Sequence, residues 1–423
     1  MEDAHLSLDS LALWLSNRLE HEEVLSKVAP HLLALCDVCR ERYEEIRRLQ
    51  EEIGHWDESV AVFESRQAPE LLAELAEHPF EEQLQIVEEQ EELHIWGFCR
   101  LLLRRSREAV FADPMKAVDL ADLAVRVAGH LDEVYDPNWV LDLRAQAHAC
   151  LGNARRVVGE LRSAEDAFRK AEGYLARSTS GNTRVQAEIL DLKVSLRRAQ
   201  RRLDEALTLA DRALRLYREE GAFREFGRVI LNKAKILEEL GQLEDAILLL
   251  DRSSSEIDAT ADPRLFSYLR YNLLGCLTLA GRHEEAERLL PEVQTLFRES
   301  AQPLDRVRLL WAEAMIALGR DRKVEAEALL REVQRAFLEK EMGYDAALVS
   351  LDLAILFAQE GRTAEIKRLA VEIMPAFESR EVHREAMAAL LMFQQACEEE
   401  RLTVQLARQI AAFLKRERIG RGI

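Results

Sequence analysis

With 17 Gly and 9 Pro in 423 residues, the chain carries about half the usual share of these two turn-forming residues. That deficit excludes sandwiches, barrels and doubly wound sheets, which need them at every turn. The net charge of −19 argues against casual binding to nucleic acid or anionic membrane. No run of about 18 apolar residues occurs, so no transmembrane helix is expected. The opening MEDAHLSLDS has neither a basic nor an apolar signal region, and the expected location is cytoplasmic. Cys99, Cys150, Cys276 and Cys397 are solitary and far apart, which suits buried thiols in a reducing compartment. The composition predicts an almost wholly α-helical protein.

The first 50 residues differ in kind from the rest. HLLALCDVC, from His31 to Cys39, places one imidazole and the thiols of Cys36 and Cys39 within nine residues. Two cysteines separated by two residues present both sulfurs to one tetrahedral ion, and a histidine about a turn upstream supplies a third ligand. His5 or His21 can complete the set. The segment resembles the zinc-binding anti-sigma-factor domain, a small helical unit with a His, a long gap, then His-x3-Cys-x2-Cys. The resemblance implies a zinc set of His5, His31, Cys36 and Cys39, although this chain has one extra residue between His31 and Cys36. It also implies a head that sequesters a sigma-factor-like transcription regulator. A metal-free remnant and a redox pair are the alternatives. With four protein ligands the ion leaves no open position, so its expected role is structural, stapling a domain too small to fold on its own core. Leu11, Trp14, Leu15 and Leu19 are spaced as the helix stripe of that mini-core.

Residues 51–99 hold 14 acidic residues against the single base Arg66. In HPFEEQLQIVEEQEELHIWGFC the acids alternate with Leu84, Ile86, Val87, Leu93, Ile95 and Trp96, so an amphipathic helical connector is expected. Its acidic face is read as a solvated outer surface, with docking of a basic partner as the sharper alternative. Arg100, Arg104, Arg105 and Arg107 follow at once and offer local partners.

From residue 100 to 423 one phrase recurs: a helix with small residues, a break, then an acidic-Ala pair opening a second helix. It reads VVGELRSAEDAF, AQRRLDEALTLA, ELGQLEDAILLL, LAGRHEEAERLL and QEGRTAEIKRLA. The breaks fall at Gly159, Arg201, Gly241, Gly281 and Gly361, with a variant at Gly319 that has two extra residues before Ala326. Five residues after the regular breaks stand Ala164, Ala206, Ala246, Ala286 and Ile366, and seven before come Gly152, Ala234 and Ala354, with Ala312 for the variant. Small side chains there let the paired helices approach closely, and Gly at the break supplies a left-handed stop. The pattern resembles the tetratricopeptide repeat family over roughly residues 100–416, with a period near 40 where that family has about 34.

That resemblance implies an all-α superhelix of helix pairs whose inner helices line a groove. Its groove-facing positions map to Asn153, Arg156, Arg198, Arg228, Asn232, Lys235, Tyr268, Asn272, Arg306 and Glu313. A solvated helix face is the plain alternative for them. The excess of cations and amides tilts the expected ligand toward an acidic segment. Arg197, Arg198, Arg201 and Arg202 are expected at the exposed end of a repeat helix. No phosphate loop, dinucleotide-binding glycines, nucleophile elbow or HExxH occurs, so no catalysis is expected. His94, His130, His148 and His283 are expected as structural or surface residues. The sequence therefore predicts a cytoplasmic adaptor or regulator with a zinc head and a groove for a protein or peptide. A pure scaffold, or a switch whose acidic connector occupies the groove, are the alternatives.

Overall fold

A computed structural model describes residues 58–131, 135–257, 259–260, 262–300, 303–378, 393–397 and 402–419. The expected zinc ligands His5, His31, Cys36 and Cys39 lie outside the described residues, as does the rest of the head. Every regular element among the described residues is a helix, and the chain divides into two compact units, one ending at Val185 and one starting at Gln186.

Unit 1 contains α1 (Glu58–Leu75), α2 (Phe80–Glu89), a 3-10 turn (Glu91–Leu93), α3 (Trp96–Ala109), α4 (Pro114–His130), α5 (Pro137–Val157) and α6 (Leu161–Arg177). Consecutive helices from α3 to α6 pack on one another, α1 lies on α3 and α2 lies on α4. Asp113 and Asp136 start α4 and α5 by accepting backbone N–H bonds at 3.2 Å from Lys116 and 2.8 Å from Asn138, each followed by Pro at the first helical position. In the acidic segment Val87, Leu93, Trp96 and Phe98 are buried while Glu81, Glu82, Glu89 and Glu91 stay exposed, so its apolar stripe belongs to the core.

One buried carboxylate ties this unit together. Glu64 accepts the backbone N–H of Gly97 and the hydroxyl of Tyr135, both at 2.9 Å, and Tyr135 accepts the N–H of Trp96 at 3.1 Å. The first turn of α3 has no side-chain cap of its own, and these two groups satisfy its orphan donors. Burial pushes the Glu64 carboxyl up; the bonds from Gly97 and Tyr135 pull it back in part.

Unit 2 takes in most of α7 (Thr183–Ala199), followed by α8 (Leu203–Glu219), α9 (Phe223–Glu239), α10 (Leu243–Glu256), α11 (Pro263–Leu279), α12 (His283–Ser300), α13 (Pro303–Gly319), α14 (Lys323–Glu339), α15 (Gly343–Gln359), α16 (Thr363–Glu378) and α17 (Val404–Ile419). Neighbours from α8 to α16 pack in series, the inner helices α9, α11 and α13 touch one another, and α17 lies on α15. This is a tetratricopeptide-like helical-repeat fold. Its interior is two apolar clusters, Ala187 to Ile316 and Val307 to Leu414, to both of which α13 contributes.

The helix stops explain the period. Gly159, Arg201, Gly241, Gly281, Asp321 and Gly361 all have φ between 59° and 87°. At Gly241, for example, the N–H of Gln242 returns to the carbonyl of Leu237 at 2.9 Å and that of Gly241 to Glu238 at 3.0 Å. The pattern repeats at every break and closes each inner helix by satisfying its last carbonyls. One expectation is corrected here. The variant break is Asp321 and not Gly319, which is still helical. With the stop at Asp321, Ala326 falls five residues later and Ala314, not Ala312, seven before, so the two extra residues vanish. Gly319 is small for another reason: a Cβ there would stand 2.3 Å from the His283 ring.

The two columns flanking the break are fully packed. Ala164, Ala206, Ala246, Ala286 and Ala326 are each 0% exposed, as are Val194, Leu274, Ala314 and Ala354 on the partner helices. Gly152 fills the same place in unit 1, where a Cβ would meet the Phe168 ring at 2.8 Å. The four solitary cysteines are buried thiols. Among the described residues no helix is long and apolar enough to cross a membrane.

Candidate functional site

The inner helices of unit 2, α7, α9, α11, α13 and α15, carry most of the residues mapped to the groove. Side chains four and seven apart share a helix face, which aligns Arg228, Asn232 and Lys235 along α9. The Arg228 guanidinium donates from Nε and Nη2 to Asp191 Oδ2 of α7, at 3.1 and 2.5 Å. Asn232 Nδ2 donates to Ser195 Oγ, also on α7, at 3.3 Å, and Lys235 Nζ to Glu238 at 2.7 Å. Asp191 is buried while the Arg228 side chain is 61% exposed, so the acid is an anchor and the cation faces solvent. Burial pushes the Asp191 carboxyl up, with the adjacent guanidinium opposing.

The same stitching continues along the array. Tyr268 of α11 donates its hydroxyl to Asp305 of α13 at 2.8 Å, Tyr271 donates to the Arg308 carbonyl at 3.4 Å, and the Trp311 indole N–H donates to Asp352 of α15 at 2.8 Å. Each of these bonds joins residues 37 or 41 positions apart, one repeat along the chain. The ladder partners Asp191, Ser195, Asp305, Trp311 and Asp352 are absent from the sequence-based set. Polar residues recurring at an offset near 37 were the signal that could have found them.

The remaining mapped residues divide. Arg198 and Arg201 both donate to Glu239, at 2.6 and 2.8 Å, and Arg197 and Arg202 both reach Glu205, at 3.1 and 2.6 Å. Arg197 is buried and Arg198 half-buried, while Arg201 and Arg202 are exposed, so two of the four arginines meet the expectation of an exposed helix end. Asn232 and Asn272 hold equivalent places, but Asn272 donates to the Tyr268 carbonyl of its own helix at 2.8 Å. Arg306 is exposed and donates to the Arg298 carbonyl at 3.4 Å, while Glu313 accepts from Gln294 at 2.8 Å. In unit 1, Asn153 and the buried Arg156 bond to each other at 3.0 and 3.2 Å.

A second ladder follows the outer helices. Arg282, Arg322 and Arg362 each follow a break and bond the glutamate three residues on, Glu285, Glu325 and Glu365. Each also bonds a glutamate of the preceding outer helix, Glu244, Glu287 and Glu327, at 2.8, 2.6 and 2.6 Å. The bonds from Arg362 hold the Glu327 carboxyl below its ordinary range.

His94, His130 and His148 of unit 1 pack against neighbouring rings. His94 and His130 stack at 4.3 Å, His130 bonds Glu88 at 2.7 Å, and His148 stacks on Tyr174 at 5.4 Å. Burial, helped by Lys170 and Arg155, lowers the His148 imidazole to about 4. Among the described residues no group of His, Cys, Asp and Glu is placed to hold a metal ion.

No protein-family model and no curated protein sequence matches the chain. Its fold is similar to that of aspartyl phosphate phosphatase F from Bacillus subtilis, with a TM-score of 0.55, 12% identity, and 89% of this chain and 96% of that one covered. Lower-scoring structures include a Rap protein complexed with competence and sporulation factor (TM-score 0.47, 14% identity, 87% of this chain and 99% of that one). Another is a tetratricopeptide repeat protein from Parabacteroides merdae (TM-score 0.46, 17% identity, 70% of this chain and 98% of that one). At these identities the likeness is one of fold.

Proposed function

We propose that the chain is a non-catalytic adaptor or regulator that holds a protein or peptide segment on the inner face of unit 2. The observation that carries this reading is the row Arg228, Asn232 and Lys235, set in place by Asp191, Ser195 and Glu238. Arg228 commits Nε and Nη2 to its anchor and has further donors to offer, and Asn232 keeps its amide oxygen and a second N–H. Donors held before a ligand arrives lose less entropy on binding, which is what an extended backbone or acidic side chain requires of a groove. The cationic and amide character of the row favours an acidic segment.

The N-terminal residues complete the proposal. His5, His31, Cys36 and Cys39 form a donor set suited to one structural zinc ion, in a head that engages a sigma-factor-like transcription regulator. Support for this comes from residue types and spacing. Affinity capture of the intact protein from its native cell, with metal analysis of the same sample, tests both halves. The expected result is a captured protein whose binding falls about tenfold in Arg228→Glu/Asn232→Ala, and one zinc lost in Cys36→Ser/Cys39→Ser. Binding untouched by the inner-face pair would overturn the groove reading. Metal below about half an equivalent would overturn the zinc site.

A further inference from the structure

On the outer side of unit 2, α8, α9 and α10 enclose a cleft of about 520 Å³, within the range of about 300–1,000 Å³ usual for ligand sites. Its exposed apolar surface is Leu248 of α10, 47% exposed, while Phe226 and Ile230 of α9 form a buried floor. Arg218 is spent on Glu256 at 2.8 Å and lies over the Phe226 ring at 5.0 Å, and Asp211 is spent on Lys233 at 2.5 Å. Of the charged lining residues this leaves Arg215, Arg252 and Asp245 without an ion pair among the described residues.

The next repeat shows what is missing. Forty residues on, Ile230 is replaced by Arg270, Arg252 by Glu292 and Asp211 by Asp251. There the Arg270 guanidinium reaches across to Glu292 with two bonds of 2.7 Å and approaches Asp251 at 3.8 Å. That junction is bridged from within by a cation from the inner helix meeting an acid on the outer one. At the α8–α9–α10 junction the outer helix carries the cation, Arg252, and the inner helix offers an isoleucine with no acid to meet it. The void follows from Ile230 in the place of Arg270, and the unpaired guanidinium from Arg252 in the place of Glu292.

We propose that this cleft is a second docking site, filled by a peptide of a partner protein that seats an apolar side chain against Leu248, over the floor formed by Ile230. A carboxylate beside that side chain meets Arg252 and Arg215. Asp245, Leu248 and Arg252 follow one another along a single face of α10, so the polarity is fixed. The peptide's acid lies toward Arg252, and an acid at the Asp245 end is repelled. The site is separate from the inner face and stands whether or not that face binds.

The test is a differential selection. A randomised peptide library is selected on the full chain and, in parallel, on Ile230→Arg, which installs the side chain of the next repeat while leaving the inner-face row intact. The expected result is a set of peptides pairing a large apolar residue with Asp or Glu, enriched on the wild type only. Binding of a synthetic member should fall about tenfold or more in Arg252→Glu. Circular dichroism and thermal melts confirm that both variants fold, and the charge reversal on exposed Arg252 provides the readout should Ile230→Arg be unstable. Identical enrichment on both proteins would overturn the proposal, as would binding indifferent to Arg252→Glu. Peptides lost instead in Arg228→Glu report on the inner face, so the two sites are judged separately.

Discussion

The two units hold themselves together by different means. Unit 1 depends on a few buried polar groups used once each, such as Glu64 under the start of α3 and the uncharged His148 against Tyr174. Unit 2 repeats modest contacts, an inner ladder and an outer arginine–glutamate ladder at offsets of 35 to 41 residues. A unique buried contact concentrates the cost of its loss at one point, while a repeated one spreads it. Damage in unit 1 should therefore be abrupt, and in unit 2 gradual.

The largest effect is expected from Gly97→Ala. Its Cβ would meet Glu64 backbone carbon at 2.6 Å and Ser65 nitrogen at 2.8 Å, and backbone cannot swing aside. A loss of about 3 kcal/mol in chemical denaturation followed by circular dichroism is the expected outcome, and a neutral result would show that the close approach of α1 and α3 at Gly97 is not needed for stability. Gly319→Ala in unit 2 is the counterpart. There the obstacle is the partly exposed His283 ring, which can turn outward, and a smaller loss is expected.

Second comes acid. The His148 imidazole titrates near 4 in the fold, below its ordinary 6.5, so the unfolded chain binds the extra proton between those values. Unit 1 should lose stability as pH falls through that window, by about 2 kcal/mol after allowance for solvent. The raised Glu64 carboxyl works in the opposite sense above its unfolded value of 4.5, favouring the fold as pH falls. Comparing wild type with His148→Leu at pH 7 and pH 4.5 isolates the histidine. An unchanged pH dependence would show that it does not report on this unit.

Third, Asp321→Gly should stabilise unit 2 by roughly 0.5–1 kcal/mol, because a non-glycine residue at φ 59° is strained. Were Gly319 the helix stop, the same change would destabilise, so a thermal melt decides the register. The smallest effect belongs to Arg362→Ala. It removes a partly exposed rung and should lower Tm by about 2 °C, a difference reduced in about 1 M salt.

These contrasts also show what the sequence could reveal. The repeat period and the alanine column were legible because close helix packing tolerates only small side chains at a fixed distance from the stop. The stop itself was legible at the five regular breaks, the non-glycine Arg201 included, and hidden at Asp321, two residues beyond a glycine that packs against His283. Counting back five from Ala326 would have found it. The repeat pattern assigned the mapped residues to inner helices, but the bonds of Arg228, Asn232 and Tyr268 to Asp191, Ser195 and Asp305 were invisible, since local periodicity says nothing of a partner 37 residues away. The outer cleft was missed for the same reason. It arises from two exchanges, Ile230 for Arg270 and Arg252 for Glu292, that matter only when adjacent repeats are superimposed.

The inner ladder has one more consequence. Its rungs differ chemically: guanidinium on carboxylate at Arg228, amide on hydroxyl at Asn232, phenol on carboxylate at Tyr268, indole on carboxylate at Trp311. Were they identical, any repeat could mate with any other, and a growing chain could join out of sequence or trade modules with a neighbouring molecule. Because the α7–α9, α11–α13 and α13–α15 junctions each have their own pairing, these side chains carry part of the array's assembly order, and a shuffled copy would find those rungs mismatched.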